Sequence, residues 1–360
     1  MFIMPILVLP LLSCVAWIVS LFWYIYHMRQ GHFDQVNRKL HAKYAGPVVR
    51  IAPNEVSIDS AEAVHVIYST RPERRFTKTD FYTAGRPAIA SKHENLFMDL
   101  DEDHHAARRR IVANVYSMSS ILESEPQTLL LLPASLRKPY MATGLLYKSV
   151  KQAIVDNAKR VTYARELVYK RMSELKNNGG TAESKGRRDL LSKMFEISAT
   201  KGDKVDFHLP EIEMESWVNI QAGVDTTAIA LQAILYHILK DARVHQKLLS
   251  ELDAALRNQR IAIPIKYSDA LKLPYLSACI KEAMRLHPSV GLQLPRHPPP
   301  EGCHISGYYF PHSARVGVNA AVLHYNQDVF GEDASSFRPE RWSESNAAEM
   351  DVSIFLEIIV

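Results

Sequence analysis

Asp225 and Thr226 place a carboxylate and a hydroxyl side by side inside a stretch whose apolar spacing otherwise asks only for packing. Polarity at such a position costs free energy unless it is hydrogen-bonded or reaches water. An acid next to an alcohol can also hand protons to a reacting group. Gly223 precedes the pair, and the Thr226 hydroxyl can bond back to the carbonyl of Ala222; both features loosen a helix, so an acid and an alcohol at a kink are expected. For these residues taken alone, a locally satisfied threonine beside a partly exposed aspartate is an equal reading. Glu282 and Arg285, in Lys281-Glu-Ala-Met-Arg-Leu-His-Pro288, stand at i and i+3 and share a helix face, where a charge-assisted pair forms. Arg341, in Phe337-Arg-Pro-Glu-Arg-Trp342, offers a further guanidinium to close a network around Glu282, with a turn carrying surface charges as the alternative.

The elements that must position these groups follow from periodicity. Trp217, Ile220, Val224, Ala228, Leu231, Leu235 and Ile238 recur by threes and fours, which predicts a long, largely buried helix over 211–240. Pro274 opens a second strong helix as its N1 residue; Leu276, Ile280, Ala283 and Leu286 form its stripe and Pro288 stops it. Helical patterns also cover 101–120, with His104, His105, Arg108, Arg109 and Arg110 as a solvated basic face, then 148–176 and 189–198. Residues 201–206 read as a charged loop. Val48, Val49, Ile51, Val56 and Ile58, punctuated by Pro47, Pro53 and Asn54, predict short strands, and 292–322 is strand-like and turn-rich, so a minor sheet is expected at each side.

The 360 residues are 47% hydrophobic and 23% charged, an ordinary globular balance that argues against disorder. A net charge of +4 does not select a partner, and the basic clusters at Arg71, Arg74 and Arg75 and at 108–110 lack stacking aromatics, so no nucleic acid is expected. Phe2 to Tyr26 contains no Asp, Glu, Lys or Arg and is long enough to cross a bilayer, which predicts a membrane anchor over 1–28 with Trp23, Tyr24 and Tyr26 in the interfacial belt; a cleaved signal peptide is the competing reading, against which Met1 to Pro5 offers no positive charge. Arg29, Arg38, Lys39, Lys43 and Arg50 follow it and hold the body of the chain, 29–360, on the cytosolic side. Cys14, Cys279 and Cys303 are widely spaced and give neither a disulfide framework nor a zinc site; a reducing, cytosol-facing compartment fits them.

The order of these parts, from the apolar anchor through Gly46-Pro-Val-Val-Arg-Ile-Ala-Pro-Asn-Glu-Val-Ser57, the A-G-V-D-T-T helix and K-E-A-M-R-L-H-P to F-R-P-E-R-W, resembles the cytochrome P-450 haem-thiolate monooxygenases, filamentous-fungal microsomal members above all. The resemblance covers nearly the whole chain. It implies a mainly α fold with small β-sheets behind an N-terminal transmembrane helix, heme b as cofactor, an NADPH-cytochrome reductase as electron donor and an apolar small-molecule substrate oxidised in secondary metabolism. It places the chain in the endoplasmic reticulum membrane, in contact with lipid. It also implies that Asp225 and Thr226 deliver protons during oxygen activation, and that Glu282, Arg285 and Arg341 are the structural triad under the haem. Arg109 holds a propionate in this reading, with His105 beside it where many members have Trp, and Arg296 holds a second.

The family's iron ligand is a cysteine in an F-x-x-G-x-R-x-C-x-G loop beyond the final turn. The residues that follow the turn, Ser343 to Val360, contain neither Cys nor Gly, so no metal ligand is assigned and the domain is expected to be truncated before that loop. Between Ser120 and Lys148 the chain is also expected to lack part of the middle helices. Two readings follow: an enzyme of this family, or a haemless, membrane-anchored remnant or mis-spliced product.

Overall fold

The computed structural model describes residues 4–69, 75–83, 87, 89, 91–112, 148–177, 190–263, 265 and 267–354. The helices are α1 (Met4–Arg29), α2 (Phe33–Tyr44), α3 (Ala61–Ile67), α4 (Glu102–Val112), α5 (Lys148–Asn177), α6 (Leu190–Val205), α7 (Leu209–Lys240), α8 (Ala242–Arg257), α9 (Tyr267–Ala270), α10 (Pro274–Leu286), α11 (Ala320–Leu323), α12 (Gln327–Phe330) and α13 (Ala347–Ile354). The strands are β1 (Val48–Ala52), β2 (Glu55–Ile58), β3 (Thr77–Lys78), β4 (Arg296–His297), β5 (Cys303–Ile305), β6 (Tyr308–Phe310) and β7 (Arg315–Val318). The fold is mainly α with small sheets. The chain divides into two compact units, one of Met1–Phe76 with Thr227–Ile359 and one of Thr77–Thr226, and α7 contributes a half to each.

In the first unit, early and late strands join one sheet in the order β1, β2, β7, β4. β1 and β2 are an antiparallel hairpin, and β2 runs parallel to β7 with Glu55 opposite Arg315 and Ile58 opposite Val318. The expectation of separate minor sheets at each side is thus corrected for these strands: β-branched residues from both ends of the chain bury against one another. β5 and β6 form a separate hairpin turned by Ser306 and Gly307, both at positive φ. α10 is held at its start by another helix. Its N-cap, Leu273, has no capping side chain, and Glu251 of α8 accepts instead from the backbone N–H of Tyr275 (2.8 Å) and Leu276 (2.9 Å). Ile238, Val244, Leu248 and Cys279 pack together beside that contact.

In the second unit, Val112, Val168, Met194, Phe207 and Ile212 form one core, and Met98, Val161, Ala164, Met214 and Trp217 a second. Asp101 caps α4, accepting from the N–H of Asp103 (3.0 Å) and His104 (2.9 Å).

Several expectations are corrected. The charged stretch 201–205 is helical, because Lys201, Asp203 and Lys204 lie on the solvated side of α6, which ends only at Asp206 in the left-handed region. Residues 33–44 form α2, whose amphipathic pattern of Phe33, Asn37 and His41 buries polar groups and so escapes an apolar-periodicity reading. α7 is buried along its first half, but Leu231 and Leu235 are exposed on its second. The basic face of α4 is not wholly solvated: Arg108 is buried, donating to the Asp206 carbonyl (3.2 Å) with its guanidinium 5.5 Å from the Phe207 ring. Tyr24 is not in an interfacial belt but packed within the protein, its hydroxyl donating to Glu55 (3.3 Å). The residues after the final turn include a helix, α13, with Met350 buried against Phe330 and Ala334. The stretch 121–147, expected to lack helices, lies outside the described residues.

Candidate functional site

The structure brings Glu282, Arg285 and Arg341 together with no exposed side-chain surface. Glu282 and Arg285 lie one helical turn apart on α10, as i and i+3 positions must, and Arg341 arrives on the 3₁₀ turn Pro339–Ser343, which Pro339 starts. Arg285 grips the carboxylate in a fork, Nη2 to Oε1 at 2.8 Å and Nε to Oε2 at 3.0 Å. Arg341 Nε donates to Oε1 at 2.9 Å. The backbone N–H of Arg338 (3.0 Å) and the Trp342 indole (3.0 Å) complete the set, so both carboxylate oxygens are filled.

The two guanidiniums use their remaining hydrogens on backbone carbonyls. Arg285 Nη1 donates to the carbonyls of His324 and Ala334, both at 2.6 Å, and Nη2 to that of Ser336 at 3.1 Å. Arg341 Nη1 donates to the Phe330 carbonyl (2.6 Å) and the Asp333 carboxylate (3.1 Å), and Nη2 to the Asp333 carbonyl (3.2 Å). The network therefore fastens α10 to the irregular run 324–342, which has little regular structure of its own to satisfy its carbonyls. Trp342 and Arg338 stand inside the recognised F-R-P-E-R-W wording, whereas Asp333 and the carbonyl acceptors leave no mark in the sequence. A second, more exposed cluster shares the turn: Glu340 accepts from Arg243 (2.6 Å), Lys247 (3.0 Å) and the Tyr275 hydroxyl (3.1 Å). Burial pushes its carboxyl up, but the bonds led by Lys247 prevail and hold it at about 2.

Arg296 sits on β4, buried, with its guanidinium 5.4 Å from the ring of Tyr68. Burial pulls its pKa down to about 10, and the nearby Tyr68 phenol partly opposes that. Tyr68 is itself pinned, donating to the Leu294 carbonyl (2.9 Å) and accepting from the Val318 N–H (3.1 Å). A carboxylate brought beside a buried guanidinium favours its charged form. The remaining sequence-derived residues belong to the other unit. The Thr226 hydroxyl is buried and donates to the Ala222 carbonyl at 3.0 Å, the back-bond expected from the sequence. Asp225 is a helical residue of α7 whose side chain lies outside the described residues. Arg109 is exposed on α4, and His105, one turn earlier, is half-buried.

Cys279 and Cys303 sit in surroundings that favour the thiol over the thiolate. Metal ligation needs a thiolate. Burial first, then the charges of Glu340 and Glu251, pushes the Cys279 thiol up to about 12; burial and Glu301 push Cys303 up to about 11. Both are held as thiols. The side chain of Cys14 lies outside the described residues. Among the described residues no group of three or more His, Cys, Asp or Glu is placed to hold a metal ion.

Comparison with known proteins fits this geometry. The cytochrome P450 family model matches residues 131–355. The chain is 33% identical over 403 aligned residues to the cytochrome P450 monooxygenase gsfF of Penicillium aethiopicum, spanning 92% of this chain and 78% of that protein. It is 30% identical to a pisatin demethylase of Fusarium vanettenii, over 91% of this chain and 74% of that one. Among solved structures, cyanobacterial CYP120A1 with retinoic acid bound superposes with a TM-score of 0.59 at 17% identity, covering 86% of this chain and 78% of that one, and so shares its fold. The buried Glu–Arg–Arg network on an α10-like helix, the polar interruption of α7 and these likenesses converge: the chain belongs to the cytochrome P450 family, whose members are haem-dependent monooxygenases.

Proposed function

We propose that the chain oxidises an apolar small molecule of fungal secondary metabolism while anchored in the endoplasmic reticulum membrane, its body on the cytosolic side and its electrons drawn from NADPH-cytochrome reductase. The observation that carries this reading is the 33% identity to the gsfF monooxygenase across 92% of the chain. The pisatin demethylase of Fusarium vanettenii, named for the demethylation of pisatin, supports the substrate class.

Haem supplies the oxygen-activating centre of the family. In our reading Arg296 and Arg109, with His105, take its propionates; a carboxylate at Arg296 would oppose the pKa lowering that burial imposes on its guanidinium. The iron end does not fit the described cysteines, which lie on α10 and β5 rather than in a glycine-rich loop. The roles left to this chain are binding, support and proton handling. Glu282, Arg285 and Arg341 hold α10 and the 324–342 run in one arrangement. Thr226, its hydroxyl donating to the Ala222 carbonyl, and the neighbouring Asp225 are the proton-handling pair of this reading.

The anchor is α1. Its 26 residues span about 39 Å at 1.5 Å per residue, more than a bilayer core of about 30 Å, and Trp17, Ile18, Val19, Phe22 and Tyr26 are exposed along it. α7 also has the length and hydropathy to cross a membrane, but its first turns bury Glu211, Glu213 and Glu215. We read α7 as a core helix.

The deciding experiment is the reduced, carbon-monoxide-treated difference spectrum of the protein expressed from its complete transcript. A thiolate-type band is expected. Folded, membrane-bound protein without that band would establish the competing haemless reading.

A further inference from the structure

Four side chains of the Thr77–Thr226 unit form an unbranched chain that the monooxygenase reading does not use. His104 Nδ1 lies 2.5 Å from Asp99 Oδ2, His104 Nε2 lies 3.0 Å from His93 Nδ1, and His93 Nε2 lies 2.9 Å from Asp206 Oδ2. The two imidazoles are stacked with centroids 4.9 Å apart. Three contacts of this length are three hydrogen bonds, and each requires one hydrogen. Two ionised carboxylates and two neutral imidazoles bring only two, because a neutral imidazole carries a single N–H. If both rings donate outward to their carboxylates, the inner nitrogens meet lone pair to lone pair at 3.0 Å.

We propose that this chain is a proton-binding latch: Asp99, His104, His93 and Asp206 together hold one proton beyond the two of their neutral-imidazole state, and that proton fastens the segment 91–99 to α4 and to the α6–α7 junction. The count is the same whether the third hydrogen makes one ring an imidazolium or sits on the Asp99 carboxyl. The surrounding charges favour it. Asp203, Asp206, Asp99, Glu94 and Glu211 supply anions, against Lys92, whose Nζ is 3.4 Å from Asp206, and Arg108, which donates to the Asp206 carbonyl at 3.2 Å. His208 Nε2 also lies 3.7 Å from Asp206 and 3.8 Å from Asp203.

The latch has mechanical consequences at both ends. Asp206 has φ +48°, a left-handed conformation that a non-glycine residue keeps only where its surroundings hold it. On the other side, Ser91 donates to Glu211 at 2.9 Å, and Glu211 accepts from the His208 N–H at 2.9 Å, so the same segment fixes the first turn of α7. When the proton leaves, the inner contact becomes repulsive and the segment is released. Above about pH 7, where the released imidazoles are mostly neutral, the closed form binds more protons than the open form, so the opening equilibrium rises with pH, up to tenfold per pH unit.

Hydrogen exchange of the full chain in lipid nanodiscs, followed by mass spectrometry from pH 7 to pH 8.5 and corrected for intrinsic rates, tests this. Peptides covering 91–104 are expected to lose protection as pH rises, by approaching tenfold per unit, while α5 peptides stay level. Asp99→Asn should abolish the slope and keep the protection, because its amide N–H₂ supplies the third hydrogen to His104 while its oxygen still accepts from the Asp101 N–H (3.1 Å in the parent). Asp206→Asn does the same from the other end and covers a failure of the first variant to fold. A level profile in the parent chain, or a slope that survives in either folded variant, overturns the proposal.

Discussion

Replacing Glu282 by Gln changes almost no volume and removes one charge, so it isolates what the carboxylate does. In the parent, two guanidiniums without exposed surface face it, with Arg285 Nη2 at 2.8 Å and Arg341 Nε at 2.9 Å. At charge separations near 4 Å and an effective dielectric of about 20, each attraction is worth about 4 kcal/mol. Part of the roughly 8 kcal/mol total is offset, because a neutral amide no longer has to be desolvated as an ion, and Asp333 still neutralises Arg341 from a half-exposed position (3.1 Å). The amide also turns one acceptor into a donor, facing either Arg341 and the Arg338 N–H or the Trp342 indole. The net loss is about 3 to 5 kcal/mol, the range found when one partner of a buried pair is removed. That is a large part of the 5 to 15 kcal/mol that holds most domains together. Hydrogen exchange in peptides from α10 and from 330–343 reads the loss locally, so no assumption of all-or-none unfolding is needed. The control is Glu340→Gln on the same turn, whose partners Arg243 and Lys247 are more than half exposed; it should cost at most about 1 kcal/mol. If Glu282→Gln leaves those peptides as protected as Glu340→Gln does, the network is not what holds α10 to the 324–342 run.

Three other outcomes follow from the geometry. Tyr68→Phe strips a donor from the Leu294 carbonyl and an acceptor from the Val318 N–H, both buried, and should lower stability by about 1 to 3 kcal/mol, read as a fall in thermal midpoint; an unchanged midpoint refutes the pinning role. The two units should show opposite pH slopes. Burial pulls His41, His237 and His297 below the ordinary histidine value, so their folded forms hold fewer protons than unfolded chain and the first unit loses stability as pH falls below about 6.5. Exchange peptides from 33–44 and 296–318 should therefore become less protected toward pH 5, while 91–104 becomes less protected toward pH 8.5. Thr226→Val keeps the shape of α7 and removes the hydroxyl. In the catalytically competent protein it should cut product formed per NADPH consumed by roughly a hundredfold, the lower end of the range for a lost proton-transfer group, and unchanged coupling would leave Thr226 a purely structural residue.

The sequence was legible where one residue type carries one physical demand. The spacing of Trp217 and Ile238 foretold α7, Pro274 and Pro288 bracketed α10 within two residues, and Glu282, Arg285 and Arg341 were picked out before their contacts were known. Groups satisfied by backbone were not legible. Five carbonyls between Phe330 and Ser336 or at His324 receive the guanidiniums, and a carbonyl looks the same beside every residue name. α2 escaped because Asn37 and His41 are buried polar residues that both bond to Ser57, at 2.9 and 3.0 Å. The stripe along the second half of α7 promised burial that Leu231 and Leu235 do not have, since periodicity reports an apolar face without naming what covers it.

The parallel pairing of β2 with β7 joins residues about 260 positions apart, Glu55 with Arg315. During synthesis at about 5 to 20 residues per second, β2 therefore waits between roughly 13 and 52 seconds for its neighbour to be made. The Thr77–Thr226 unit, built from one continuous stretch, has no such wait. The nascent chain thus carries an unpaired strand edge and an uncovered Ile58 for much of its time on the ribosome, beside a unit already able to close. Protection of that hairpin by a chaperone, or its loss to aggregation, falls within this interval and ends when Val318 emerges.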